Sequence, residues 1–302
     1  MFSPAKAVLF RRSYCYPKLG RTGLGNCLLI WARAFVCAYL NQFGMIAPRW
    51  FQLRWGPVLR REPVKRFYSA EITNRGYVSG VRKWLLLTLA RRVRSETVCS
   101  PKSERLEPTL GSAVIEFDGL GDYFLSLIPY REAVYSELQR IAHPVAVARS
   151  SAISEPFIAA HVRRGDLTRQ KIPLSQILQH TPTEWFADAI RAIRRDPRWK
   201  DLPVMIFSDG SPEELKDLLS IPNSKQMTTE KAVGDILMMA RCSLLLASGY
   251  STFSMWASFL GQMPTLYYPG RHQQRLFPVD TEVFEGEWHS GGDLPHPRRM
   301  RR

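Results

Sequence analysis

The chain has 302 residues, enough for two domains of about 150 residues each. Hydrophobic residues make up 45% and charged residues 23%, as in an ordinary globular protein, and no apolar run approaches the roughly 20 residues that cross a bilayer. The formal net charge of +15 lies wholly in residues 1–110, which hold 20 basic and 5 acidic residues, whereas residues 111–302 hold 22 of each. Such asymmetry suggests an anionic membrane surface, an acidic glycan or lipid head group, or nucleic acid as partner, or else a merely solvated basic surface.

The five cysteines are odd in number and widely spaced, without a C-x-x-C pair or a Cys/His cluster at metal-ligand spacing. Neither a disulfide framework nor a zinc site is indicated, and a reducing compartment is expected. Residues 1–26 also lack the apolar core and small-residue cleavage site of a signal peptide. We therefore expect a cytoplasmic protein, or one peripheral to the membrane through residues 1–110.

A glycine-rich turn at 20–26 (Gly-Arg-Thr-Gly-Leu-Gly-Asn) lies directly before an apolar helix predicted at 28–40. Glycines at a helix N-terminus let backbone N–H groups approach an anion, although a plain tight turn has the same pattern. The turn is not a P-loop, because Asn26 and Cys27 follow Gly25. Nor does it carry the third glycine of the dinucleotide-binding fingerprint.

Farther along the first half, residues 48–94 predict mixed, mostly helical structure, and residues 123–142 predict an amphipathic helix. A Pro-containing break follows this helix, so we place the domain boundary at 150/151. The tail at 290–302 is rich in Gly, Pro and Arg, and is expected to be basic and flexible.

In the second half, strands and helices alternate. Strands are predicted at 157–162, 203–207, 244–247 and 265–268, and helices at about 184–195, 212–220, 233–241 and from 252 onward. Thr183 and Ser211 are the expected N-caps of the first two helices. Because each strand is almost wholly apolar, the pattern favours a parallel sheet with helices on both faces.

Polar side chains follow three of these strands. Arg163 and Arg164 come after the first strand, Asp209 after the second, and Ser251 and Thr252 after the third. In a parallel sheet these positions line the ligand crevice, where two guanidiniums suit a pyrophosphate and hydroxyls at a helix start suit phosphate oxygens. A carboxylate at Asp209 can accept from a guanine amino group or a sugar hydroxyl. Simpler interpretations, a surface turn and ordinary helix caps, stay open.

Four motifs occur together in an order and spacing that resembles the α1,2-/α1,6-/O-fucosyltransferase superfamily, and most closely the α1,2-fucosyltransferases. They are 23–26 (Gly-Leu-Gly-Asn), 161–166 (His-Val-Arg-Arg-Gly-Asp), 207–209 (Phe-Ser-Asp) and 251–256 (Ser-Thr-Phe-Ser-Met-Trp). The resemblance implies an α/β fold of GT-B type, with two Rossmann-like domains facing a central cleft. It assigns residues 1–150 to the acceptor side and residues 151–289 to nucleotide-sugar binding.

The same resemblance implies GDP-fucose as donor, with no further cofactor, and inverting, metal-independent transfer to a glycan or glycolipid hydroxyl in α1,2 linkage. Arg163 is expected at the β-phosphate with Arg164 in support, and Asn26 near the pyrophosphate. The expected catalytic residues are Arg163, Asn26, Asp166 and Asp122, and the expected donor-binding residues are Gly23, Gly25, His161, Arg163, Arg164, Asp209, Ser251 and Thr252. Asp118, Asp122 and Asp166 remain alternatives for a catalytic base.

Two other functions remain open at this stage. One is a GT-B transferase that uses a different nucleotide sugar. The other is a basic protein that binds nucleic acid or a membrane surface and has vestigial phosphate sites. Nucleic acid is the less expected partner, because it gives no reason for phosphate-type loops outside the basic first third. No D-x-D motif occurs in the chain, which fits the expectation that no metal is needed.

Overall fold

The computed structural model describes residues 12–51, 68–100, 103–106, 112–164, 181–278 and 280–296. The chain divides into two compact units, Met1–His143 and Pro144–Arg302.

The division lies a few residues before the boundary predicted at 150/151, because the helix Pro144–Ser150 is tied to the second unit. Arg149 Nη1 donates a hydrogen bond to Thr229 O (2.9 Å), and Arg241 Nη1 donates to Ser150 O (3.0 Å). The Pro-containing break that suggested the boundary, at 148–156, therefore lies inside the second unit and leads into its first strand.

The first unit contains a four-stranded parallel sheet with the order β2-β1-β6-β3 and an antiparallel pair β4-β5. Its strands are β1 (Tyr14–Pro17), β2 (Gly44–Met45), β3 (Arg92–Arg94), β4 (Cys99–Ser100), β5 (Ser103–Leu106) and β6 (Val114–Phe117). Its helices are α1 (Leu24–Asn41), α2 (Gly80–Leu89), α3 (Ser95–Val98) and α4 (Arg131–Ile141), with 3-10 turns at Tyr68–Ala70 and Leu125–Tyr130.

Helix α1 is the central helix of this unit. It is long and apolar enough to cross a membrane by length and composition alone, but 72% of its residues are buried within the protein. Leu28, Leu29 and Trp31 are completely enclosed, as in the core helix of a globular domain. The sequence-based interpretation of this segment as a buried helix is therefore confirmed.

The helix predicted at 123–142 is interrupted. Residues Leu125–Tyr130 form a 3-10 turn that contains Pro129, and the α-helix begins only at Arg131. Proline has no N–H for an i→i−4 hydrogen bond and clashes with the preceding turn, so the α-helical pattern cannot run through this position.

The second unit contains a six-stranded, all-parallel sheet with the order β12-β11-β10-β7-β8-β9. Its strands are β7 (Ile158–Val162), β8 (Val204–Ser208), β9 (Ser224–Gln226), β10 (Leu244–Ala247), β11 (Thr265–Tyr267) and β12 (Glu285–Glu287). Its helices are α5 (Pro144–Ser150), α6 (Thr183–Arg195), α7 (Lys216–Leu219), α8 (Ala232–Met239) and α9 (Thr252–Gly261). This is the Rossmann strand order. β8 and β9 follow on one side of β7, and β10, β11 and β12 follow on the other side, so the order of the strands reverses between β7 and β10.

Hydrophobic cores cover both faces of this sheet, as the apolar strands predict. On one face, Phe186 and Ile190 of α6 pack in a buried cluster with Ile158 and Ile206 of the strands. On the other face, Met238 of α8 belongs to a second buried cluster with alternate residues of the same strands. Successive side chains of a strand point to opposite faces, so strands without polar positions require this double cover.

The predicted starts of two helices need correction. Pro182 occupies the N-cap of α6, and Thr183 is the first residue of the helix. Ser211 does form a reciprocal pair with Glu214, but the following residues are turns and α7 spans only Lys216–Leu219.

The expectation of a flexible tail from residue 290 is wrong for its described part, residues 290–296. Leu294 is buried in the core of the second unit, its carbonyl accepts from Arg198, and Trp199 Nε1 donates to Pro295 O (3.0 Å). Tryptophan carries an N–H that needs a partner when the ring is buried, and this segment supplies one. Residues 297–302 lie outside the described residues.

Candidate functional site

The site is built where the strand order of the second unit reverses. Strands β7 and β10 are neighbours, so the residues that follow their carboxyl ends meet. The backbone N–H of Arg163 donates to Ser248 Oγ (3.1 Å), and the Ser248 hydroxyl donates to the carbonyl of His161 (2.7 Å). Ser248 is buried, so this hydroxyl fixes the backbone of the turn after β7 from one side.

The strand on the other side of β7 fixes the same turn. Asp209, which follows β8, accepts from the backbone N–H of Arg164 at 2.7 Å. Ser208 Oγ donates to Val162 O (2.6 Å). These contacts confine the backbone of 162–164 between two neighbouring loops, and so determine where the arginine side chains begin.

The two arginine side chains differ in their surroundings. Arg163 is exposed at the edge of the sheet, whereas Arg164 is half-buried and its Nη1 donates to Thr183 Oγ1 (3.0 Å). The Nε of Arg164 is buried and has no hydrogen-bond partner among the described residues. A guanidinium donor left without a partner is costly, so this group is suited to an external anion.

His161 is 8% exposed and lies under this turn. Its ring stacks on Phe253 with centroids 5.1 Å apart, and its Nδ1 is 2.5 Å from Ser254 Oγ. The Ser254 hydroxyl also donates to Ser248 O (3.4 Å), so in this network it accepts from His161 Nδ1–H. Burial lowers the pKa of His161 to about 4, with Arg163 adding to the effect and Asp209 opposing it. The imidazole is therefore neutral near pH 7.

The turn between β10 and α9 brings the motif at 251–256 to the same edge of the sheet. Tyr250 has φ of 52°, in the left-handed region, and Ser251 is the N-cap residue of α9. Ser251 is buried and its side chain makes no capping hydrogen bond within the described chain, so the interpretation as a plain helix cap is not supported. Thr252, the first helical residue, is half-buried.

Two contributors to this turn were not predicted from the sequence. Thr181 Oγ1 accepts from the backbone N–H of Gly249 (2.9 Å), and Arg271 packs directly against Gly249. A Cβ on Gly249 would lie 2.3 Å from the Cβ of Arg271, so only glycine allows this approach. The Arg271 guanidinium lies 5.4 Å from the ring centroid of Tyr250, and its buried Nε has no partner among the described residues. The Pro-Gly pair before Arg271, at the end of a predicted strand, was the available signal.

In the first unit, the last three residues of the glycine-rich turn, 24–26, are already part of the helix. α1 begins at Leu24 rather than at 28, so Gly23 is its N-cap residue, and Gly25 and Asn26 lie in its first turn. No acidic side chain occupies that turn, and a Cβ at Gly23 would meet no atom within 4 Å. The predicted grouping of backbone amides at a helix N-terminus is present, with Asn26 half-buried beside it.

The three aspartates predicted as alternatives for a catalytic base differ in their positions. Asp122 is half-buried and its Oδ1 accepts from Ser126 Oγ (2.9 Å). It follows Gly121, whose φ of 59° and close contact with the Arg33 guanidinium leave no room for a side chain. Asp118 is exposed. Asp166 lies outside the described residues, so its role stays a prediction.

Within the described ranges, no group of three or more His, Cys, Asp or Glu side chains is arranged to hold a metal ion. The sequence-based expectation of metal independence stays a prediction.

Residues 129–289, more than half of the chain, match the family model of glycosyl transferase family 11. The chain belongs to glycosyl transferase family 11. This confirms that it is a glycosyltransferase and confirms the resemblance to the fucosyltransferase superfamily. No curated protein matches the chain.

Several solved structures are similar to this family 11 chain. The fucosyltransferase NodZ from Bradyrhizobium is 17% identical, covers 86% of this chain and 96% of its own, and gives a TM-score of 0.57. A NodZ α1,6-fucosyltransferase crystal soaked with GDP-fucose gives 0.58, also at 17% identity over 86% and 96% of the two chains. POFUT1 in complex with GDP is 14% identical over 86% and 99% of the chains, with a TM-score of 0.48. The similarity to NodZ confirms the predicted GT-B fold; the cleft between its two domains stays a prediction.

The buried histidine predicts a specific loss of stability in acid. Because the pKa of His161 falls from 6.5 to about 4 on folding, the unfolded chain binds a proton between these pH values that the folded chain does not. The free energy of unfolding should therefore fall by about 3 kcal/mol as the pH drops from 6.5 to 4, and level off below. Urea unfolding at a series of pH values measures it.

The control for this measurement uses the exposed His289. The His289→Gln variant should keep the full acid loss, whereas His161→Gln, if folded, should lack this component. An equal pH dependence in both variants would contradict the assignment.

Proposed function

We propose that this glycosyltransferase transfers fucose from GDP-fucose to a hydroxyl of a glycan or glycolipid, with inversion, without a metal ion and in α1,2 linkage. The observation that carries the proposal is the backbone of Arg163 and Arg164, held by Ser248 and Asp209 at the strand-order reversal. Family membership and the fold shared with NodZ, a fucosyltransferase that has been soaked with GDP-fucose, support it.

The chemistry requires stabilisation of the leaving diphosphate. Breaking the bond between sugar and phosphate leaves negative charge on the β-phosphate oxygens, and fixed cationic donors stabilise that charge as it develops. Arg163 has an exposed guanidinium on a fixed backbone, and Arg164 and Arg271 each have a buried Nε without a partner among the described residues. We assign Arg163 to the β-phosphate, with Arg164, Ser251 and Thr252 in support. Arg271 is a further candidate at the same edge.

The guanosine end of the donor is assigned to Asp209 and His161. One oxygen of Asp209 accepts from the Arg164 N–H, and the exposed carboxylate still has its second oxygen for the guanine N–H groups. The neutral His161 donates through Nδ1, which leaves Nε2 as an acceptor for the nucleoside.

The acceptor side is proposed to lie in the first unit. We assign Asn26 to the pyrophosphate and reacting centre, with Gly23 and Gly25 providing backbone N–H groups. Asp118, Asp122 and Asp166 remain the alternatives for the base that takes the acceptor proton. An Asp122 carboxylate that already accepts from Ser126 has a fixed orientation, as a general base needs.

We also propose that the enzyme works in the cytoplasm. Cys15 and Cys242 are buried free thiols, a state that suits a reducing compartment.

Nucleotide selectivity tests the donor assignment. Calorimetry should show GDP and GDP-fucose binding at least about tenfold more tightly than UDP, because a carboxylate that loses its guanine partner is left unpaired. Asp209→Asn should reduce this preference, whereas Asp188→Asn, a half-buried carboxylate on α6 that pairs with Arg191, should not. A short oligonucleotide should not compete. Equal affinity for GDP and UDP would favour a transferase with another nucleotide sugar.

Arginine geometry tests the catalytic assignment. Arg163→Lys keeps the charge but loses the planar, two-pronged donor, so turnover should fall by about 10²–10³-fold. Arg195→Lys, an exposed arginine at the end of α6, should leave turnover unchanged. Near-normal transfer by a folded Arg163→Lys variant would contradict the role.

Chelation tests the proposed metal independence. Because arginine and amide donors are assigned to the diphosphate, transfer should persist in excess EDTA. Loss of transfer with EDTA and its recovery with Mn²⁺ would overturn this part of the proposal.

A further inference from the structure

Helix α2 has an unusual outward face. Val81, Trp84 and Leu89 are 75%, 63% and 55% exposed, although all are large apolar residues. At 100° per residue they lie on one side of the helix, with the half-buried Leu85 between them. We call these exposed residues Val81, Trp84 and Leu89 the α2 outer face.

The opposite side of α2 already forms its contacts with the unit. Leu86 is buried in a cluster with Tyr14, Ile46 and Val114, with Leu87 and Ala90 packed against it. A surface helix ordinarily turns polar residues outward, and an apolar outward face is typical of an interaction site. The α2 outer face is therefore not needed for packing within the unit.

Charge identifies the partner. Residues 80–94 contain five basic residues and no acidic one: Arg82, Lys83, Arg91, Arg92 and Arg94. Lys83 donates to Ala47 O, Arg82 to Tyr14 Oη, and Arg92 is paired with Glu116. Arg91 and Arg94 are exposed, and no described residue forms an ion pair with either. Exposed tryptophan and aliphatic residues, followed directly in the chain by two exposed arginines, match the two layers of an anionic bilayer surface, apolar acyl chains below phosphate groups.

We propose that the α2 outer face, together with Arg91 and Arg94, binds the surface of an anionic membrane. Trp84 lies at the interface, Val81 and Leu89 enter the acyl boundary, and the arginines contact lipid phosphates. At 10 residues α2 is too short to span a bilayer, so it lies in the interface plane. The inference does not depend on the identity of the sugar donor, and it would bring a lipid-linked acceptor to the enzyme.

Vesicle binding by the full-length protein tests the proposal. The protein should co-sediment with phosphatidylcholine vesicles that contain phosphatidylglycerol, at least about tenfold more tightly than with phosphatidylcholine alone, and less tightly as salt rises. Trp84→Glu should lower this affinity at least about tenfold. The double variant Arg91→Glu with Arg94→Glu should also lower it at least about tenfold, because each arginine contributes about fivefold.

Matched variants separate the surface from general charge and apolar effects. Tyr39→Glu changes an exposed aromatic residue of α1, and Arg191→Glu with Arg195→Glu reverses two exposed arginines of the second unit. These controls should bind vesicles as the unchanged protein does. Calorimetric GDP affinity should be the same in every variant, which shows that each is folded and separates this test from the donor proposal.

Each other outcome overturns the proposal. Equal binding to neutral and anionic vesicles, or no binding, excludes an anionic membrane. Loss of affinity with the arginine reversals but not with Trp84→Glu indicates a simple polyanion site. A concentration-dependent dimer that Trp84→Glu dissociates in sedimentation velocity indicates that a second copy of this chain covers the face.

Discussion

The candidate donor site depends on how one short stretch of backbone is held. The N–H of Arg163 and the N–H of Arg164 are consecutive donors just beyond the last strand residue, and each has an acceptor on a different neighbouring strand's loop. This is possible only because β7 is flanked by β10 on one side and β8 on the other. The Rossmann strand order therefore supplies the acceptors Ser248 and Asp209, and the arginine side chains are directed by a backbone that has few alternatives.

Beneath this turn, the polar atoms form a second layer that connects to the core. His161 is the only polar residue within β7, and it is enclosed by Phe253 and Ser254 of the helix that starts after β10. Its neutral state follows from burial, and the same burial links the protonation of this residue to folding. The histidine thus connects the motifs at 161–166 and 251–256 physically, because its ring contacts α9 while its carbonyl accepts from Ser248.

Much of this second unit could be predicted from the sequence, and the reason is physical. Wholly apolar strands flanked by amphipathic helices allow few arrangements, so the predicted strands differ from the observed ones by about a residue, and β10 agrees at both ends. The first residues of the helices were harder to predict. The glycines at 23 and 25 indicate a turn, but α1 already begins at Leu24, since packing of an enclosed helix outweighs the weak preference of glycine for other conformations.

Contacts between distant loops could not be predicted. Thr181 and Arg271 reach the same turn from separate parts of the chain, and only the fold brings them to Gly249. Thr183 was expected to cap α6, yet its hydroxyl accepts from Arg164, a contact between residues on different elements. Periodicity and capping rules describe neighbours along the chain, and they contain no information about which loops share an edge of the sheet.

Hydropathy has a similar limit, because it does not show which helix surface stays exposed after folding. The two most apolar helices of the first unit are an example. Averaged along the chain, α1 meets the length and composition of a membrane span, whereas α2 does not. Burial reverses this order, since α1 is enclosed by its own unit and α2 leaves Trp84 and Val81 outside it. Affinity for a bilayer depends on apolar area that remains exposed after folding, and on charge beside that area. The short helix, with exposed arginines directly after it in the chain, therefore satisfies both conditions, and the long helix satisfies neither.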